Sequence, residues 1–314
     1  MKIKNSYKRI LLIEPQKGLK YHTSYPPLGL LKLATYHKKK GHKVKLVQGF
    51  SEVEFEPDII YITSLFTYAY ELVHAIIRCY SEKYKRAKIV VGGIYATLCP
   101  DHLRETFGNR IEIRKGIQGK FDNILPDYSL VPDWNASIVF ATRGCIRKCP
   151  FCSVSLLEPK FQALKSIKHL VYPGHKKIIF WDNNILASPY LENIFDELEE
   201  LNLEVDFNQG IDARLLTPYV AERLKRLKIL YIRLAYDTIE MRNPLQKAIN
   251  LLKEIGFKSR KILVYCLYNF PNPNDNPETF LVRISDLMEW GNVAYPMRYE
   301  PLEPRKKNTF VSPY

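Results

Sequence analysis

The chain has 314 residues, 46% hydrophobic and 25% charged, enough to bury a large core as one large or two ordinary domains. No apolar run approaches the ~20 residues of a membrane helix, and the start MKIKNSYKRILLIEP lacks the apolar centre of a signal peptide, so a soluble, cytoplasmic protein with no membrane partner is expected. The net charge of +14 is spread over runs such as HKKKGHK, SEKYKRAK and PRKKN, which fit a lysine-rich solvated surface better than a nucleic-acid footprint and leave a polyanionic substrate open.

From the N-terminus, KRILLIEP (8–15) is a compact apolar strand ended by proline. LGLLKLATYHKKKGHK is a helix closed by Gly41, and VKLVQ is the next strand. PDIIYITSLF, the helix YELVHAIIRCYSEKY, the strand AKIVVGG and a short helix from Asp101 to Phe107 continue the alternation. Continuous apolar strands separated by helices predict a doubly wound parallel sheet over 1–124. Prolines and turn formers in LPDYSLVPDWNAS predict a linker over 125–136.

A second alternating series occupies 137–300. Its strands are SIVFATR, KKIIFWDN, LEVDFNQG, ILYIRLAYD, KILVYCLYNF and NVAYPMRYEP, separated by helices such as SPYLENIFDELEEL and NPLQKAINLLKEIG. Six such units are too few for a complete eight-stranded barrel and predict a partial one, with its working residues at the strand C-termini. The tail 301–314 reads as a poorly ordered end or a strap.

Three of the six cysteines, Cys145, Cys149 and Cys152, fall within ATRGCIRKCPFC, just after the first strand of this series. The other three, Cys79, Cys99 and Cys266, are scattered, which does not suit a secreted disulfide framework. Cys266 lies among apolar residues and reads as a small buried hydrophobe. A closed zinc site needs four ligands, usually two separated pairs, and here a distant His175 or Cys266 would have to complete it. Three thiolates on a cubane iron-sulfur cluster instead leave one iron open to a small molecule.

The spacing Cys145-x3-Cys149-x2-Cys152, with the aromatic Phe151 before the last cysteine, resembles the signature of the radical S-adenosylmethionine (SAM) superfamily. That resemblance implies a 4Fe-4S cluster whose unique iron is chelated by SAM, cleavage of the sulfonium to a deoxyadenosyl radical, and a flavodoxin- or ferredoxin-like electron donor as partner. It also implies SAM contacts at Phe151 and at strand ends. Asp182 ends the second strand in WDNN, where relatives carry a Gly-Gly-Glu type strip. Arg214 follows the third, beside Asn208, Gln209 and Asp212, and Asp237 ends the fourth, which also offers Arg233. Tyr265, Tyr268 and Asn269, after the fifth strand, are candidates for a substrate wall or for plain core packing.

The order of the first-half segments is similar to the cobalamin-binding branch of that superfamily. In that branch small residues at strand ends accommodate the corrinoid, and Ser64, Thr67, Gly92 and Gly93 stand there. The Asp-x-His-x-x-Gly cobalt-ligand motif is absent, since EPQKGLKYH does not fit it, and Gln118 stands near where relatives carry glutamate. Cobalamin thus stays open, and with it methyl transfer to an unactivated carbon as against another radical reaction. The rival from a different class is a zinc-containing nucleic-acid-binding protein.

Overall fold

The computed structural model describes residues 7–15 and 25–314. The chain divides into two compact units, Met1–Trp134 with Leu302–Thr309, and Asn135–Pro301 with Phe310–Tyr314. The stretch expected to link them, 125–136, belongs to the first unit as far as Trp134. It is packed rather than slack. Asp127 donates its N–H to Leu31 O, Thr35 Oγ1 donates to Leu125 O, and the Tyr128 side chain is buried.

In the first unit the elements run β1 (Arg9–Glu14), α1 (Leu28–Lys38), β2 (Lys43–Gln48), β3 (Ile59–Thr63), α2 (Tyr70–Lys83), β4 (Lys88–Gly92), α3 (Ile94–Leu98), α4 (Pro100–Phe107) and β5 (Ile111–Arg114). All five strands are parallel, in the order β2-β1-β3-β4-β5. This is the doubly wound class that the sequence predicts. Its strand order reverses between β1 and β3, and in such sheets ligands sit beyond the carboxyl ends at that point. The central strands bury both faces, which is why Ile10 to Ile13 form an unbroken apolar run. The short strand β5 has no such signal: it is an edge strand with two charged residues in IEIR, and the sequence alone did not reveal it.

The second unit begins with β6 (Ala136–Val139), β7 (Thr142–Arg143), α5 (Val154–Leu157), β8 (Gln162–Ala163), β9 (Lys177–Phe180), α6 (Leu191–Leu201) and β10 (Glu204–Phe207). It continues with α7 (Pro218–Arg226), β11 (Lys228–Ile229), β12 (Ile232–Ala235), α8 (Arg242–Glu254), β13 (Ile262–Tyr268), α9 (Pro277–Glu289) and β14 (Val293–Arg298). Strands β11-β10-β9-β6 form one parallel sheet and β12-β13-β14 another, and the N–H of Ile211 bonds to Arg233 O where they adjoin. The result is a six-unit partial barrel. The expected single strand SIVFATR is instead two. It breaks at Phe140, and β7 turns away to pair antiparallel with β8, so the cysteine loop is the span of a small ribbon.

Local chemistry sets the helix starts. Thr217 caps α7 through the Val220 N–H at 3.2 Å and Asn276 caps α9 through the Thr279 N–H at 3.0 Å, each followed by a proline at the first helical position. The apolar faces of these helices and of the strands form one core, in which Phe180 and Phe207 stack at 5.3 Å. Cys266 is fully buried there and burial pushes its thiol up to about 12, as suits an inert core residue. The chain end is a strap: Ser312 donates to Asn269 Oδ1 at 2.9 Å, and Asn269 Nδ2 donates to Phe310 O at 3.2 Å. Among the described residues no helix is long and apolar enough to cross a membrane.

One buried ion pair fixes the strand ends. Arg283 on α9 is fully buried; its Nη1 donates to the carbonyls of Tyr236 and Asp237 at 2.7 and 2.8 Å, and its Nη2 bonds Asp275 in the turn after β13. Removing one partner of such a pair strands the other without water. Arg283→Ala is therefore expected to cost about 3–5 kcal/mol, read as a lowered midpoint in denaturant unfolding of the full chain.

Candidate active site

The cysteine loop opens at Gly144, whose φ of +75° belongs to glycine. A Cβ there would stand 2.5 Å from Lys160 O and 2.9 Å from Glu158 O, so the two legs of the ribbon approach too closely for any side chain. Glu158 closes the same neck. Its carboxylate accepts the Gly144 N–H at 2.5 Å and the Asn183 Nδ2 at 3.1 Å, and it pairs with Arg143 at 2.7 Å. Inside the loop the Cys152 N–H turns back to Cys149 O, and the Arg147 N–H points at Cys145 Sγ at 3.3 Å.

All three cysteines are free thiols, Cys145 and Cys149 half-buried and Cys152 exposed. Burial, together with the other thiols nearby, pushes both Cys149 and Cys152 up from their ordinary range. Among the described residues no three His, Cys, Asp or Glu side chains converge as ligands of a single ion. Ligands of three different irons at separate corners need not converge in that way.

Three carboxylates from strand ends meet this loop, and they do different work. Asp182, beyond β9, is 2% exposed. Its oxygens accept the N–H of Ala141 at 3.1 Å, the N–H of Thr142 and the Thr142 hydroxyl at 2.7 Å. The carboxylate expected to meet SAM is thus spent on pinning the chain where β6 gives way to β7. Burial pushes it up to about 7, against those bonds and the charge of Arg143.

Asp212, beyond β10, gathers the site. It accepts Arg147 Nε at 3.0 Å from the cysteine loop, Asn184 Nδ2 at 3.2 Å from the end of β9, and Arg214 Nε and Nη2 at 2.7 and 3.2 Å. Burial opposes its charge, but the two guanidinium groups hold it below the usual carboxylate range. Arg214 is placed by that grip and feels the charges of Cys149 and Cys145. Asp237, beyond β12, is pushed up to about 6 by burial, with Arg283 opposing, and it couples to Cys149 and Cys152. Arg214 and Asp237 thus lie in the electrostatic neighbourhood of the three thiols.

Two residues complete the arrangement: Arg147, which the sequence reading passed over, and Asn184, which it named beside Asp182 and Asn183 without singling it out. Asn184 is 3% exposed; its Nδ2 lies 3.7 Å from Cys145 Sγ, while its Oδ1 is buried with no partner. Arg147 lies inside the Cys-x3-Cys spacing, a position that ties it to the cluster loop. Nothing in the sequence marks Asn184 over its neighbour Asn183. Phe151 packs edge-on against Phe270 at 5.8 Å, in an aromatic row continued by Tyr299. Arg233 is taken up by an ion pair with Asp206, and Tyr265 stands edge-on to Tyr295 at 5.7 Å.

In the first unit, Ser64 is fully buried. Its hydroxyl donates to Gly92 O at 2.8 Å and accepts the Ala96 N–H at 3.1 Å, so it locks the β3 end to the turn after β4. Gly93 has φ +106°, and a Cβ on it would meet Ser64 O at 2.5 Å. The Ser64 hydroxyl and Gly93 are therefore explained by the turn they build. Gly92 is roomier, since a Cβ there would stand an ordinary 3.6 Å from Arg114 O, and Thr67 opens a single turn after β3, half-buried. Most of EPQKGLKYH, from residue 16 on, lies outside the described residues.

Residues 18–112 match the B12 binding domain family. No curated protein matches the chain. Among solved structures, the chain is similar to "Structure of Cobalamin-dependent S-adenosylmethionine radical enzyme OxsB with aqua-cobalamin bound", with a TM-score of 0.62 and 13% identity over 91% of this chain. The match covers 52% of that protein, so the chain spans about half its length. That likeness is one of fold, and in this chain the fold is a parallel α/β sheet that carries the B12 binding domain match, followed by a partial barrel.

The placement of Asp182 has a pH signature. Below about pH 4 its carboxyl is protonated folded or unfolded; between about 4 and 7 the unfolded chain ionises it while the folded chain keeps the proton. Its contribution to stability is therefore lost as pH rises through that window. Asp182→Asn cannot ionise but sets an amide N–H against a backbone N–H, costing about 1–3 kcal/mol at every pH. Urea unfolding should show the variant less stable at pH 4, with the gap to wild type narrowing toward pH 7.

Proposed function

We propose that the protein is a radical SAM enzyme that carries a 4Fe-4S cluster on Cys145, Cys149 and Cys152. The observation that carries the proposal is the shell around those thiols: a loop pinned at its neck by Asp182 and Glu158 and tied through Arg147 to Asp212, Asn184 and Arg214. When bound, the cluster supplies one electron to the SAM sulfonium and so generates a carbon radical.

The chain's own residues fit SAM chemically. A zwitterion needs an acceptor for its ammonium and a donor for its carboxylate. Asn184 Oδ1 is a buried acceptor with nothing to accept, and a group of that kind is costly unless a ligand satisfies it. Arg214 is held from one side by Asp212 and keeps donor capacity on the other, while its charge is felt at Cys149 and Cys145. Asp237 is an acidic group whose charge is felt at Cys149 and Cys152, and it suits the hydroxyls of a ribose. In this assignment Asn184 takes the place first expected of Asp182.

The B12-type sheet supports cobalamin as a second cofactor, with methyl transfer to an unactivated carbon as the reaction. Its residues would hold the corrinoid near Gly92 and Thr67, with no histidine to ligate cobalt from an Asp-x-His-x-x-Gly motif. The protein would work in the cytoplasm beside a flavodoxin- or ferredoxin-like donor.

Anaerobic reconstitution with iron and sulfide, followed by reductant and SAM, is expected to give a brown protein that releases deoxyadenosine. Replacing Cys145, Cys149 or Cys152 by alanine should abolish that release, a loss of at least about a hundredfold if the open iron is where SAM is cleaved. A cluster-loaded wild type that leaves SAM intact under a working reductant would overturn the proposal. Retention of hydroxocobalamin through gel filtration, followed by its visible spectrum, tests the corrinoid separately.

A further inference from the structure

The amide of Asn184 is oriented by its surroundings. Asp212 is an acceptor only, so the edge of Asn184 that lies 3.2 Å from Asp212 Oδ2 must be its NH2 group. Asp212 is 5% exposed at its side chain and gripped by Arg147 and Arg214, so it cannot swing away. The second N–H of the same amide is left to face Cys145 Sγ, at 3.7 Å. With the Arg147 backbone N–H at 3.3 Å, that sulfur faces two donors.

We infer that Asn184 is a positioning residue that raises the reduction potential of the cluster through Cys145, by an N–H to sulfur bond whose direction Asp212 fixes. This rests on the cluster proposed above. Reduction adds negative charge that the thiolates share, and a donor aimed at a thiolate stabilises the reduced form more than the oxidised one. The surroundings sharpen the effect. Arg147 and Arg214 hold Asp212 in place, and the amide is shielded from water, where such bonds are stronger.

The test is an anaerobic redox titration of the reconstituted full chain, followed by electron paramagnetic resonance, on wild type, Asn184→Leu and Asn184→Asp. Leucine keeps the branched outline, in a larger volume, and removes the donor; aspartate sets a like charge beside Asp212 and the thiolate. With iron and sulfide content equal to wild type, the midpoint is expected to become more negative in Asn184→Leu and more negative again in Asn184→Asp. An unchanged midpoint in a fully loaded Asn184→Leu overturns the inference. Loss of iron in both variants would assign Asn184 to assembly of the loop and overturn it equally. Failure of the wild type itself to load a cluster would instead strike the function proposed above.

Discussion

Three thiols confined to eight residues cannot organise themselves. Each is a poor hydrogen-bonding group, their ionised forms repel, and the loop between them has no room for a core. Its shape must be imposed from outside, and three carboxylates impose it. Asp182 holds the chain where β6 ends, Glu158 closes the neck at Gly144, and Asp212 reaches into the loop through Arg147. Each stands on a different part of the scaffold, so the loop is triangulated against rigid elements. The barrel strands deliver two of the carboxylates to one place because parallel strands end at one edge, and the ribbon of β7 and β8 returns Glu158 to the same spot.

The same constraint explains why the site was only partly legible in the sequence. Alternating apolar strands and capped helices announced both sheets, and the cysteine spacing announced the loop. What the spacing does not carry is which acidic residue faces the thiols and which faces the backbone. Asp182 and Asp212 both end a barrel strand, and both look equally suited to a ligand. Burial separates them: Asp182 is consumed by three donors of the main chain and Thr142, whereas Asp212 mediates between side chains. Asn184 could not be told from Asn183 in the sequence for the converse reason, because what sets it apart is an acceptor left over after its donors are used. The edge strand β5 and the two-residue strands β7, β8 and β11 escaped because none is long enough to show a period.

The first unit teaches a related lesson. A serine and paired glycines at strand ends suit a ligand floor and suit a tight turn, and the atoms decide between these for two of them. The Ser64 hydroxyl is spent within the protein, and Gly93 is glycine because Ser64 backbone occupies the space a side chain would need. Gly92 has ordinary room for a side chain, so the turn alone does not account for it.

The account stands on a cubane held by three sulfurs with one iron left to an exchangeable ligand. Mössbauer spectroscopy of the iron-57-reconstituted chain, recorded without and with SAM, observes that iron directly. The account predicts a 4Fe-4S signature in which a single iron site changes when SAM is added. Four equivalent irons indifferent to SAM, or a colourless protein that takes up zinc in place of iron, would contradict it.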